Sequence, residues 1–487
     1  MAWRGTIIAM NIRAWGGACA VALVLLASSA FLLYRLGQEP LQDYDEATYA
    51  EVVHEALVNH QYLSFTDGGG TYFKKPPALF WAMAASESLF GETPFAMRLP
   101  FVISGIAVIA AVMLLVFETS GSWWAAAYAG AVLATTAPFM ETARQVRLDA
   151  PVVLCIMLAV YCFMRGLKDA RWFIFFGAVV GLGVMVKSVI ALFALPPALF
   201  LLLLYRRFDL FCNTYIYGGV AAFLLVAAPW HLYEWAHFGN AFFAQYIGVE
   251  VLSRAEMNLF WTVSLTNADY ARYMIEFVEP WVWIFFASVA VIVLLYKKVS
   301  NGSRTMVLVS TLSIAVMGVV FFTAKTKAPT YLMPMYPFMA VAIALAIYSI
   351  LPRLHRLYQV GVIVLAILLL ISGAEITYYD AYHFNPYYSV EIDMAKDEYQ
   401  IGRQLLAVPQ STSVYVYDDE NLGSIVYYSQ HLSLLSLTAT SSPVSGTYVV
   451  VDTDGLSLLR FLLQKNFPTF TAELLYSGPQ VSLVRLN

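Results

Sequence analysis

Hydropathy along the chain alternates between long apolar runs and short polar connections. Runs long enough for a helix to cross a hydrocarbon layer, about 17–25 residues, fall near 14–36, 97–117, 123–140, 149–165, 172–186, 188–205, 215–233, 280–296, 305–323, 329–350 and 357–374, which predicts eleven spans. The fifth and sixth runs meet at Lys187-Ser188. Lys and Arg gather at every second connection: Arg165, Lys168 and Arg171, then Arg206 and Arg207, then Lys297, Lys298 and Arg304, then Arg353 and Arg356. These are in phase with Arg4 and Arg13, so positive-inside bias predicts a cytoplasmic N-terminus.

The opposite side receives two long acidic loops, 37–96 and 234–279. The first holds Asp43-Tyr44-Asp45-Glu46, with Glu51, Glu55 and Asp67 beyond; the second holds Glu234, Glu250, Glu256, Asp269, Glu276 and Glu279. Carboxylates this crowded call for water or a cationic partner. Ala47, Ala50, Val53 and Leu57 recur at helical spacing, predicting an amphipathic surface helix with Asp45-Glu46 at its N-terminus. Asp67-Gly68-Gly69-Gly70 reads as a turn, and Lys75-Pro76-Pro77 opens a second helix, Ala78–Phe90. His54 and His60 lack the spacing of a metal pair and read as solvated.

The same side carries cations that the inside-positive bias does not explain: Lys74-Lys75, Arg144, Arg147, Lys187, Lys325 and Lys327. Taken singly, each fits a snorkelling anchor. As a set at span ends they point to a bound anion such as a lipid phosphate. Arg98 is expected to pair with a loop carboxylate, and Asp149, which opens a span, to cap a helix, pair with Arg147 or face the site.

Past residue 375 the pattern changes. An aromatic, acidic stretch (378–399) precedes strands at 413–418, 432–437, 447–452, 473–476 and 481–485, with helices at 422–430 and 456–465. The prediction is a transmembrane domain over 1–375 and a small extracytoplasmic α/β domain over 376–487. This C-terminal part has no Gly-rich phosphate loop and no Cys or His cluster, which leaves acceptor handling or a structural role and favours the latter.

Composition supports the membrane reading. Charged residues make up 12% of the 487 and hydrophobic ones 60%, whereas soluble domains average about 25% charged. Mean hydropathy is +0.68. The four cysteines, Cys19, Cys155, Cys162 and Cys212, lie in or beside apolar runs without CxxC spacing, so neither a disulfide framework nor a thiolate metal site is expected. The first run lacks a cleavage site and reads as a retained anchor. Nothing calls for a nucleic-acid partner.

Several motifs, in this order, resemble the polyprenyl-phosphate-dependent GT-C glycosyltransferases, which include lipid A aminoarabinose transferases and protein O-mannosyltransferases. They are Asp45-Glu46-Ala47-Thr48-Tyr49-Ala50, Tyr72-Phe73-Lys74-Lys75-Pro76-Pro77 and Phe90-Gly91 with Phe95-Ala96-Met97-Arg98-Leu99-Pro100. Arg144-Gln145-Val146-Arg147-Leu148-Asp149-Ala150, a lysine at Lys187 and Lys325 to Pro337 complete the set, covering about residues 40–340.

The resemblance implies a polytopic helical membrane enzyme of the inner membrane, which moves a sugar from a polyprenyl-phosphate donor to a lipid A-like glycolipid or polysaccharide. A protein acceptor, or a polyprenyl-lipid flippase in place of an enzyme, are the alternatives; the latter predicts an internal repeat, and none is found. Carried over, Asp45 is the catalytic carboxylate, with Glu46 beside it and Asp149 facing the same cavity. Lys75 matches the lysine that contacts the donor phosphate and Tyr331 a tyrosine near it; the outer-face cations Arg147, Lys187, Lys325 and Lys327 are the further candidate phosphate ligands. The chain departs from the aminoarabinose transferases in two places: Lys74 stands where they have glutamate, and no histidine lies between Arg254 and Trp281. The metal that this pair can hold is therefore not expected. No particular cofactor is predicted, and a divalent metal at the acidic cluster stays open.

Overall fold

The structure, a computed structural model, describes residues 2–42, 45–68, 70–257, 265–383, 389–409, 412–417, 423–429, 435–436, 445–467 and 469–487. Asp43, Tyr44 and Gly69 lie outside them, as does most of the 432–437 strand. The chain divides into two compact units: Met1–Tyr34 with Phe73–Ala78 and Phe101–His383, and Arg35–Tyr72 with Leu79–Pro100 and Phe384–Asn487.

The first unit is helical. Among the described residues, eight helices are long and apolar enough to cross a membrane, or nine if the bent pair Asn267–Phe277 and Trp281–Leu294 counts as one span. The sequence predicts eleven, and the difference has local causes. The predicted 123–140 span is two helices, Trp123–Ala134 and Ala137–Thr142. Thr135 and Thr136 turn their hydroxyls back onto the carbonyls of Ala131 and Val132, and Pro138 comes in the first turn of the next helix. Twelve residues rise about 18 Å, well short of a ~30 Å hydrocarbon layer.

Trp172–Leu204 forms one apolar helical stretch, yet it turns where the sequence places its boundary. Ser188 has φ 48°, and the Cβ of Ala191 packs against Gly183. A straight helix would hold those two residues about 12 Å apart. Farther on, the helix Thr214–Phe238 passes into Asn240–Phe243 and then a π-helical segment, Ala244–Ser253.

In the second unit, Asp45–Asn59 and Ala78–Phe90 are helices, with the hairpin Phe65–Asp67/Gly70–Tyr72 between them. Asp45 and Glu46 occupy the first turn, as predicted. The helix is not a solvated surface element, however: Glu46, Glu51, His54 and Glu55 are all buried. Tyr49, Phe65 and Tyr72 pack around Phe80, closing a core beneath the face expected to lie on the membrane.

The predicted linker at 378–399 is largely helix, since one helix runs to His383 and another spans Ser389–Leu405. The remaining strands form a mixed five-stranded sheet, ordered Leu435–Ser436, Val414–Tyr417, Tyr448–Asp452, Val481–Leu486, Ala472–Ser477. Side chains alternate across it with period two. Val414, Val416, Val450 and Leu483 meet Ile401, Leu405 and Ile425 on one face, while Val449, Val451 and Val484 meet Leu459 and Leu463 on the other. The sheet is thereby covered by helices on both sides.

Candidate active site

The first unit gathers several of the predicted residues into one chain of contacts. Phe73 stands edge-on to Phe238 and Phe242, which fixes the short 73–78 segment, and Pro76-Pro77 stiffens the backbone leading to Ala78. Lys75 pairs with Glu250 on the π-helical segment. One turn on, the Arg254 Nη2 lies 3.3 Å from the same carboxylate. The Arg254 Nη1 donates to the Tyr331 hydroxyl at 3.1 Å, and the Lys187 Nζ stands 5.7 Å from the centre of the Tyr331 ring. Lys187 in turn donates to the Asp149 Oδ1 at 2.7 Å.

Three cations and two carboxylates thus share a region where no side chain among them is more than 29% exposed. Burial pushes the Glu250 carboxyl up, but Lys75 and Arg254 outweigh it and hold the group below the usual carboxylate range. Asp149 opens its helix as expected, and the cation it pairs with is Lys187.

The remaining candidates are placed less directly. The backbone N–H groups of Lys325 and Thr326 donate to the carbonyls of Ala255 and Arg254, which ties the 324–328 turn to the Arg254 segment. Lys325 is exposed; Lys327 is buried, donates to the Ala324 carbonyl and lies 5.9 Å from the Tyr270 ring centre. Burial first, then Lys325, lowers the pKa of Lys327. Arg147 donates to the Gln145 side chain. Arg144 is explained structurally, because its guanidinium caps the first helix through the carbonyls of Phe31, Leu32 and Tyr34.

Sequence reasoning missed Glu250 and Arg254 as site residues. Their signal was available as opposite charges four residues apart in an otherwise amphipathic stretch.

In the second unit, Asp45 is half-exposed at the start of its helix. Glu46, grouped with it as a catalytic candidate, is bound from both oxygens by Arg98: Nε to Oε1 at 3.0 Å and Nη2 to Oε2 at 2.6 Å. Arg98 also donates to the carbonyls of Leu36, Glu39 and Pro40. The expected pairing of Arg98 with a loop carboxylate is therefore present, and it makes Glu46 a clamp on residues 36–42. His54 is not solvated as predicted but buried, with its Nδ1 2.8 Å from the Glu92 Oε1.

Residues 74–233 match the family model described as dolichyl-phosphate-mannose-protein mannosyltransferase. The undecaprenyl phosphate-alpha-4-amino-4-deoxy-L-arabinose arabinosyl transferase of Pseudomonas savastanoi pv. phaseolicola is 30% identical over 238 residues, covering 46% of this chain and 42% of that protein. Its namesake from Serratia proteamaculans is 28% identical over 349 residues, covering 66% and 58%. The chain spans about half the length of these curated relatives.

Among solved structures, ArnT from Cupriavidus metallidurans bound to undecaprenyl phosphate superposes with a TM-score of 0.73 at 17% identity, over 95% of this chain and 97% of that one. The Archaeoglobus fulgidus oligosaccharyltransferase gives 0.53 at 12% identity, over 94% and 72%. The protein is a multi-pass membrane protein of the class built on the GT-C fold. Within that class it is similar to ArnT along nearly the whole of both chains.

Proposed function

We propose that the protein is a membrane glycosyltransferase that takes its sugar from a polyprenyl-phosphate donor. The observation that carries this reading is the run from Lys75 through Glu250, Arg254, Tyr331 and Lys187 to Asp149, which gathers three cations and a tyrosine hydroxyl in a poorly solvated place. Cations gathered at that depth favour an anion held beside them. Arginine and lysine with a tyrosine hydroxyl suit a phosphate. The names of the relatives and the lipid in the ArnT structure support undecaprenyl phosphate as the lipid.

In the proposed reaction an acceptor oxygen attacks the anomeric carbon while the bond from that carbon to the phosphate oxygen breaks. The sugar is inverted and no glycosyl-enzyme forms. Negative charge gathers on the departing phosphate, where Lys75, Lys187 and Arg254, with Arg147, Lys325, Lys327 and Tyr331 as further ligands, lower the barrier. Asp149 holds Lys187. Asp45 is assigned on the family resemblance as the carboxylate that takes or orients the acceptor proton. The acceptor we favour is a lipid A-like glycolipid or a polysaccharide on the outer face of the inner membrane, with the N-terminus cytoplasmic. The matched family model favours a protein hydroxyl as second reading.

The test is to incubate purified full-length protein with polyprenyl-phosphate sugars and with glycolipid, polysaccharide and protein acceptors. Wild type should transfer sugar, and Asp45→Asn, still folded, should lose most turnover. Lys75→Ala should weaken donor binding. Undiminished transfer by Asp45→Asn sinks the role of Asp45, and movement of the lipid across a bilayer without transfer favours a flippase.

A further inference from the structure

His54, Glu87 and Glu92 come from three places in the second unit: the helix Asp45–Asn59, the end of the helix Ala78–Phe90, and the turn after Gly91, which has φ 78°. One ligand atom from each lies within 4.8 Å of the others. His54 and Glu87 are 5% and 4% exposed. The side chain of Glu92 is 37% exposed, so the cluster opens to solvent on one edge.

Glu87 is what sets this cluster apart from an ordinary ion pair. Both of its carboxylate oxygens are buried with no hydrogen-bond partner among the described residues. The charged groups acting on it are Glu92, which is like-charged, and His54. A carboxylate removed from water and facing a second carboxylate must take up a proton or meet a cation. Tyr427 stands edge-on to His54 at 6.5 Å, and its hydroxyl is likewise buried without a partner. Two buried oxygen-bearing side chains are therefore left unsatisfied around one imidazole.

We propose that His54, Glu87 and Glu92 form a binding site for one divalent transition-metal ion, of the Zn²⁺ or Mn²⁺ kind. A neutral imidazole and two carboxylates balance the charge of a dication, and the nitrogen–oxygen ligand set suits these ions. Three protein ligands leave a position for water, and the exposed edge at Glu92 gives a way in. The site uses other residues than the metal pair whose two ligand positions are not kept in this sequence. His54 lies nine residues beyond Asp45, about 14 Å along the helix. The ion would thus not touch Asp45; it would clip the far half of that helix to Ala78–Phe90 and the turn beyond it. This holds whether or not the protein is a transferase.

The test uses full-length protein in detergent, stripped with a chelator, exposed to Zn²⁺ or Mn²⁺ and washed free of excess metal. Wild type and His60→Ala should each retain one ion per chain, measured by mass spectrometry of the metal, and should unfold at a higher temperature for it. His54→Ala and Glu87→Gln should lose both the ion and the shift. Glu87→Gln is nearly isosteric, so it keeps the test usable if His54→Ala does not fold. Wild type retaining no metal, or the two variants retaining as much as wild type, would overturn the proposal. In that event the oxygens of Glu87 and Glu92 share a proton instead.

Discussion

Lys187 donates to Asp149 at 2.7 Å while its ammonium stands over the ring of Tyr331, whose hydroxyl accepts from Arg254. The lysine therefore joins a carboxylate at a helix start to an aromatic ring on another element. It sits at the residue before the positive φ of Ser188, where the chain turns.

Lys187→Met should leave Asp149 buried without its partner and remove one cation from the proposed phosphate site. Loss of one preorganised charge costs turnover by roughly a hundredfold or more. Breaking a buried pair from one side costs about 3–5 kcal/mol of stability. Sugar-transfer rates and thermal unfolding, measured on the same preparations, separate the two effects. Lys187→Arg should recover stability ahead of activity, since its planar fork replaces the charge but not the point position. Full activity in Lys187→Met would remove this lysine from the site.

Glu250 gives a pH dependence with a definite sign. Its folded pKa is held below the unfolded value of about 4.3 by Lys75 and Arg254, against the opposing effect of burial. The stability it contributes is therefore fully present above about pH 4.3 and is lost as pH falls through the folded pKa. Thermal midpoints of wild type and Glu250→Gln should differ most near neutral pH and converge in acid. A gap that stays constant down to about pH 3 would contradict the assignment.

Arg98 and Glu46 form a buried two-point pair that also carries the carbonyls of Leu36, Glu39 and Pro40. Arg98→Ala should destabilise by about 3–5 kcal/mol, because it strands a buried carboxylate. Arg98→Lys should rescue little, since an ammonium cannot reproduce the guanidinium fork. Denaturant unfolding measures the loss, and limited proteolysis should locate the first cleavage within residues 35–42.

Legibility in the sequence differs by element. The helix starts at Asp45 and Ala78, and the strand and helix order after residue 412, come from local signals: acidic first turns, prolines before Ala78, and period-two alternation of valines. Hydropathy merges the short helix Trp123–Ala134 into a longer span because it does not register a threonine pair turning its hydroxyls onto the backbone. The burial of His54 is invisible to helical spacing within one segment, since Glu87 and Glu92 approach from other segments. The Lys75–Glu250 pair spans 175 positions, so only the fold could bring it together.

Gly177 and Gly181, four residues apart, carry a packing signal that is already visible in the sequence. A Cβ on Gly177 would lie 1.8 Å from the Gly219 carbonyl oxygen, and one on Gly219 would lie 2.4 Å from that of Phe173. A Cβ on Gly181 would sit 2.9 Å from the Phe223 carbonyl oxygen. The helices Trp172–Lys187 and Thr214–Phe238 therefore meet backbone to backbone, the contact that small residues four apart permit within a membrane. Gly177→Ala forces these helices apart, since the obstructing atoms are main chain and cannot rotate away. Gly318, with nothing near its missing Cβ, is the control; alanine there should be neutral or slightly stabilising through its better helix propensity. Gly177→Ala should lower the thermal midpoint in detergent and reduce the yield of folded protein, with Gly177→Leu worse than Gly177→Ala. An unchanged midpoint for Gly177→Ala would mean that the two helices do not touch at this glycine.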